Sequence, residues 1–240
     1  MRGRPTHAVP KRGTGRETAY QVLRGRILDL TLEPGTPLDE ASLVRELHLS
    51  RTPLREALVR LAAENLIELL PNRGARVADV SVGKLVEYFE ALALIQRATH
   101  RWAALRRTDA DLDKIRLQQR EFERAVRQSP VNMPTFNRAF HSAIAAASKN
   151  APLVQLYESL QDQGLRLSRL TVIYAAPEGV TPKIHSETVI RAHKAIVTAI
   201  EDGDADLVDR LAGEHNDLFR RRVFDYFLNR NNAPIDRVAL

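Results

Sequence analysis

The residues best suited to chemistry stand in one short run, Ser50-Arg51-Thr52-Pro53-Leu54-Arg55-Glu56-Ala57-Leu58. Two guanidinium groups four residues apart, with two hydroxyls beside the first, make a donor set for nucleic acid. A guanidinium can donate two parallel hydrogen bonds to O6 and N7 of guanine, whereas hydroxyls and a helix N-terminus serve best against phosphate. Arg51 and Arg55 are therefore assigned to bases or adjacent phosphates, and Ser50 and Thr52 to phosphates. Taken alone, Arg55 and Glu56 would pass for a solvated helix face, so the surrounding elements decide.

Those elements follow from spacing. Leu54, Leu58, Leu61 and Ala62 recur at i, i+4, i+7 and i+8, which gives a helix one apolar face and turns Arg51, Thr52 and Arg55 outward. Ser50 or Thr52 can cap its start, Pro53 suits the first turn, and Asn65, which tolerates left-handed backbone, can close it. Leu38, Leu43 and Leu47 mark a shorter helix ahead, with only His48-Leu49 between the two. Helices joined so tightly, the second basic at its leading end, match a helix-turn-helix in a major groove. An earlier helix carries Tyr20, Leu23, Ile27 and Leu30 on one face and ends at Glu33-Pro34-Gly35. Downstream, Ile67–Leu70 and residues 75–80 flank Pro71-Asn72-Arg73-Gly74 and read as a short hairpin. Arg73 and Gly74 at the tip of this wing are assigned to a minor groove or the flanking phosphate, the alternative being a plain surface hairpin.

From Ser81 onward long helices follow with hardly any strand signal. Leu85, Phe89, Leu92, Gln96 and Thr99 define a face running to Trp102 and Leu105. Asp109 is expected to cap the next helix, which continues through Leu112, Ile115 and Phe122 to Gln128. Further helices read as 131–148, 152–174, 182–200 and 204–228. The expected fold is mainly α: an N-terminal winged helix-turn-helix with a small β-hairpin, then an all-α bundle of about six helices. The expected divisions are a disordered basic leader (1–13), a DNA-binding domain (14–80), a helical effector-binding and dimerisation domain (81–228) and a C-terminal tail (229–240). For the leader, a basic arm on DNA and an ordinary frayed terminus are equally consistent.

Composition bounds these readings. A chain of 240 residues with 44% apolar content can bury one large core or two ordinary ones. The net charge of +6 favours an acidic partner, but 36 basic residues against 30 acidic ones is too even to identify nucleic acid. The absence of cysteine excludes disulfides, thiolate metal sites and cysteine nucleophiles, and agrees with a reducing cytosol. No apolar run approaches the ~20 residues that span a bilayer, so a soluble, unexported protein with no membrane partner is expected.

Taken in order, Tyr20, Ile27, Leu32-Glu33-Pro34-Gly35, Leu38, Glu40, Leu43, Leu47, the run from Ser50 to Leu58, Leu61, Asn72-Arg73-Gly74 and Val77 closely resemble the winged helix-turn-helix of GntR-type bacterial transcription regulators. The helical remainder resembles the FCD-type effector domain of the FadR branch. The resemblance implies a cytoplasmic, nucleoid-associated regulator, in the first instance a repressor. Its homodimer would meet a palindromic double-stranded DNA operator, with a small organic acid as effector. It also implies a divalent metal, zinc first, with nickel or another transition metal as alternatives. The matching ligand positions are Asn137, His141, His193 and His215. Asn137 and His141 stand one turn apart on one helix, and the other two fall on separate helices. Such a set leaves positions open for water or a carboxylate.

Two departures matter. Asn137 brings no charge where many relatives have Asp, which weakens metal affinity. Leu92 and Gln96 replace a common Arg and Glu, which removes a usual anchor for an anionic effector. Gln96 is either an effector contact or a polar residue between helices. The alternative function is a metal-responsive regulator without an organic effector. A metal-dependent hydrolase with a DNA-binding head lacks an H-E-x-x-H arrangement to supply a general base. A non-specific packaging protein is a third reading, and the chain is expected not to be an enzyme.

Overall fold

The computed structural model describes residues 14–71, 74–129, 132–174 and 182–231. The chain forms two compact units that divide between Val80 and Ser81. The first contains α1 (Thr14–Leu28), β1 (Pro37–Leu38), α2 (Glu40–Glu46), α3 (Arg51–Ala63), β2 (Ile67–Leu70) and β3 (Gly74–Val77).

In the first unit Tyr20, Leu23, Ile27 and Leu30 are all buried, as their spacing demands. The helix nevertheless stops at Leu28 and does not run to Glu33. Leu30 adopts a φ of 67°, and the Leu32 N–H returns to the Arg26 carbonyl at 2.9 Å, which satisfies the helix end. Leu38 lies in a strand and not in the second helix. Its successor Asp39 caps α2, its carboxylate accepting from the N–H groups of Ala41 (3.1 Å) and Ser42 (3.2 Å). Leu38 still points into the core, so an apolar spacing that ignores the cap misplaces it.

α3 buries Leu54, Ala57, Leu58 and Leu61 and exposes Arg51, Thr52 and Arg55. Ser50 stands at its N-cap in extended backbone, yet the hydroxyl makes no capping bond. The third helical residue is Pro53, which has no N–H to offer it. Asn65 closes the helix in left-handed backbone, with φ 57°.

The wing is a three-stranded antiparallel sheet of order β1-β3-β2, one strand more than a hairpin. Pro37 pairs with Arg76 and Leu38 with Ala75, while Ile67 to Leu70 run against Val77 to Gly74. The ladder is extended by the Gly35 N–H on Val77 O (3.0 Å) and the Val77 N–H on Thr36 O (2.9 Å). Gly74 opens β3 with φ 79°, a conformation that glycine adopts without strain, and β3 ends at Val77 and not at Val80. Arg73 lies outside the described residues, as do residues 1–13 and 232–240.

The second unit contains six helices among the described residues: α4 (Val82–Arg106), α5 (Asp109–Gln128), α6 (Met133–Ala147), α7 (Ala151–Tyr174), α8 (Pro182–Glu201) and α9 (Ala205–Asn231). α9 thus continues into the segment expected to be a tail. On α4 the buried stripe runs through Leu85, Phe89, Leu92, Gln96 and Thr99 but continues to His100, Ala103 and Ala104. Leu105 is 60% exposed, because a period of 3.6 residues carries the stripe from Gln96 to Ala103. The cap of α5 is Thr108 and not Asp109. Thr108 Oγ1 accepts from the Asp111 N–H (3.3 Å) and Asp111 Oδ2 from the Thr108 N–H (2.9 Å), a reciprocal pair that satisfies two donors.

Apolar clusters among the described residues fill the bundle. Phe140, Ile144, Ile115, Ile196, Ile200 and Val208 centre one, and Phe122, Val126, Met133, Val189 and Ile190 form another. No helix among the described residues is long and apolar enough to cross a membrane.

Candidate DNA-reading surface and metal centre

At the start of α3 the exposed side chains are Ser50, Arg51, Thr52 and Arg55. Arg55 is held by its Nε, which donates to Glu40 Oε2 on α2 at 3.0 Å. That bond uses the inner nitrogen of the guanidinium of a largely exposed side chain. Further along the same surface, Arg16 lies 3.9 Å from Glu56, and Arg60 covers the Tyr20 ring at 3.4 Å while bonding Glu17 at 3.0 Å. The outward end of α3 therefore offers guanidinium and hydroxyl donors on a rigid apolar back.

The other candidate residues meet inside the helical unit. His141 on α6, His193 on α8 and His215 on α9 are buried, and their ring nitrogens lie within 4.8 Å of one another. His141 Nε2 and His215 Nε2 are 3.0 Å apart. Donors held about 2.0–2.1 Å from one ion stand about 3 Å from each other, as His141 Nε2 and His215 Nε2 do, and the third ring, with the set spread over 4.8 Å, would close in around a bound ion. His193 stacks on Phe140 with ring centroids 4.1 Å apart and packs against Phe122 at 4.5 Å. Neither of its nitrogens has a hydrogen-bond partner, nor does His215 Nδ1. Buried polar atoms left unbonded are costly, and a His193 ring with both nitrogens bare beside the His141–His215 pair is what a cation would satisfy.

Protonation favours the same reading. Burial holds His141 and His193 well below the usual imidazole range, with the neighbouring rings adding to it. Burial alone brings His215 to about 4. All three are neutral at pH 7 and present lone pairs.

A cavity of about 50 Å³ adjoins the cluster. Its polar wall holds Gln96, Asn137, His141, His215 and Asn216, while Leu92, Leu165, Val189 and Phe219 give it an apolar side. Asn137 is half-buried one turn before His141. Gln96 Nε2 and Asn216 Oδ1 are buried without partners, a donor and an acceptor on one wall. Arg138 also reaches the cavity but bonds Glu158 (2.6 Å) and Asp162 (2.9 Å).

Two residues escaped the sequence reading. Asn216 follows His215 and carries no motif of its own. His100 lies one turn beyond Gln96 on the buried stripe of α4, and its Nε2 is 3.1 Å from His141 Nδ1. The i, i+4 spacing from Leu92 through Gln96 to His100 was the available signal.

A winged helix with a basic, outward-facing third helix, followed in one chain by a six-helix unit, defines a DNA-binding regulator with a separate helical domain. Residues 16–77 match the bacterial regulatory proteins of the gntR family, and residues 87–218 match the FCD domain. The chain belongs to the GntR family of transcriptional regulators, with the FCD architecture. It is 25% identical over 197 residues to the HTH-type transcriptional repressor RspR of Escherichia coli, covering 82% of this chain and 83% of that one. It is also 37% identical over 92 residues to the gluconate operon transcriptional repressor of Bacillus subtilis, 38% of this chain and 37% of the relative. In fold it is similar to Escherichia coli McbR/YncC, with a TM-score of 0.73 at 20% identity, covering 90% of this chain and 99% of that structure. RspR and the gluconate operon protein are named as transcriptional repressors, the family is one of transcriptional regulators and not of enzymes, and this chain is a DNA-binding transcriptional regulator.

Proposed function

We propose that this protein is a repressor whose homodimer reads a palindromic operator, and whose helical domain binds a divalent metal and a small carboxylate to modulate that reading. Arg51 and Arg55 contact base edges or adjacent phosphates, Ser50 and Thr52 contact phosphates, and the wing, including Gly74 and Arg73, meets the flanking groove. Repression is carried over from relatives named as repressors.

The observation that carries the sensing part is the buried histidine cluster with bare nitrogens beside a polar-walled cavity. His141, His193 and His215, with Asn137 beside them, would hold the ion. Neutral nitrogen donors and one amide oxygen suit zinc or nickel better than a hard cation such as calcium. The ion would act as a Lewis acid for an effector carboxylate, while Gln96 and Asn216 would orient the remainder of the ligand. Effector binding would shift the dimer between arrangements that do and do not match the operator spacing.

A second reading, a metal-responsive regulator without an organic effector, is favoured by two observations. Leu92 brings no cation to the cavity, and about 50 Å³ holds only a few water-sized groups. Elemental analysis of the purified protein tests the metal. Calorimetry of the apo and metal-loaded forms against a panel of organic acids separates the readings, because heat with an acid only in the loaded form supports a metal-anchored effector. Loaded protein that answers to metal in operator binding but to no acid supports the second reading.

A further inference from the structure

We propose that His100 is a positioning residue that fixes which nitrogen His141 presents to the metal centre. The inference rests on the metal reading above, and the geometry that carries it is a directional chain of hydrogen bonds running out of α4.

The chain begins at Thr99. Its single hydroxyl proton is committed to the helix, with Oγ1 lying 2.9 Å from Ile95 O and 3.0 Å from Gln96 O. Oγ1 can then offer only a lone pair to His100 Nδ1, 3.3 Å away, and the Gln96 carbonyl that also bonds this ring is an acceptor as well. Two acceptors on one side require that His100 carry its proton on Nδ1. His100 Nε2 is consequently a bare acceptor, and it faces His141 Nδ1 at 3.1 Å. His141 must therefore be protonated on Nδ1, which leaves Nε2 with a free lone pair. That Nε2 is the atom directed at His215 Nε2, into the cluster. The tautomer needed for ligation is thus dictated from the backbone of α4, two rings away.

Packing holds the relay in register. His100 is fully buried, with the Tyr157 ring edge-on at a centroid distance of 5.9 Å. An imidazole at a core position of this kind is costly unless both nitrogens are bonded, and here both are. A group in this position, donating or accepting at the far nitrogen of a ligating histidine, typically changes metal affinity by about 10- to 100-fold when removed.

The test is a competition titration of zinc against a chromophoric chelator, with full-length wild type, His100→Leu and His100→Gln, each checked by circular dichroism. His100→Leu fills the space without an acceptor, whereas the Oε1 of Gln restores one. The expected result is about 10- to 100-fold weaker zinc binding in His100→Leu, a changed cobalt(II) absorption spectrum, and recovery of most of the affinity in His100→Gln. Long-range proton–nitrogen NMR of zinc-loaded wild type should show both His100 and His141 protonated on Nδ1. The NMR result decides the matter if His100→Leu does not fold. Folded His100→Leu with wild-type affinity and spectrum, or either ring protonated on Nε2, overturns the relay while leaving the metal centre standing. Wild type that binds no zinc removes the metal reading and the relay together.

Discussion

Replacing Arg55 by alanine tests the proposal that this side chain reads bases. The side chain is 66% exposed, and its ion pair to Glu40 is of the surface kind worth at most about 1 kcal/mol, so the fold should survive the truncation. Because the Glu40 bond occupies Nε, the fork that would meet O6 and N7 of guanine is the pair of terminal amines. One such bidentate contact discriminates by about 1–3 kcal/mol, or about 5- to 140-fold per head. Two heads on a palindrome would double the free energy to about 2–6 kcal/mol. Fluorescence anisotropy with the operator, first recovered by genome-wide pull-down, and with random duplex at the same salt, reads both quantities. Operator affinity should fall by this amount while binding to random duplex changes far less. Equal losses on both DNAs would make Arg55 a phosphate clamp, and no loss on either would refute the assignment outright. Glu40→Ala is the companion variant: it should keep the fold and weaken operator preference, because Arg55 Nε loses its acceptor.

Other perturbations address the helical unit. His141→Ala should lower the metal content found by elemental analysis to well below that of wild type, and unchanged stoichiometry would remove the site. Metal-free protein should lose stability as the pH falls below 6.5, because His215 remains neutral to about 4 when folded but takes a proton when unfolded. That difference amounts to at most about 3 kcal/mol for this residue, and denaturant melts at pH 7 and pH 5 would reveal it. Asp111→Ala should destabilise the unit by about 1–2 kcal/mol through loss of the reciprocal bonds from Thr108 and of the Lys149 pair. Burial alone would raise the Asp111 carboxyl, but Lys149 at 2.6 Å and the Thr108 N–H and hydroxyl outweigh it and bring it to about 2. Its contribution is accordingly present above pH 4 and fades as the pH drops toward 2, measurable as wild type and variant converging in acid melts. Gly164→Ala would set a methyl group 2.6 Å from the Tyr88 hydroxyl, which is buried and bonded to Leu160 O. Overpacking of that kind costs about 1–3 kcal/mol, visible as a lower melting temperature.

The reading head was legible because each of its elements carries a local signal. Leu54, Leu58 and Leu61 state a helical period, Pro53 marks a first turn, and Asn65 stops the helix in the backbone conformation that it tolerates best. What escaped was non-local. Pro37 and Leu38 form a strand only because β3 lies beside them, and two residues carry no alternation to betray it. The α5 cap was misjudged by one position because Thr108 and Asp109 are both good caps, and the reciprocal bond from Asp111 chooses between them. In the helical unit, His141, His193 and His215 were reachable through family resemblance alone, since three single histidines on three helices have no common spacing. His100 differs: its partner is 41 positions away in sequence, and its meaning exists only once α4 and α6 are packed together.

The third strand of the wing ties the loop before α2 to the tip-bearing strand. Through Gly35, Thr36, Pro37 and Leu38 that loop shares a hydrogen-bond ladder with β3. Lengthening or shortening the loop would slide this ladder and shift the start of β3 at Gly74, without changing any of Ser50, Arg51, Thr52 or Arg55. Transplanting the specificity of such a head onto another scaffold therefore demands residues 35–38 together with α3 and the wing, and a graft of the third helix by itself would leave the turn registered to a foreign loop.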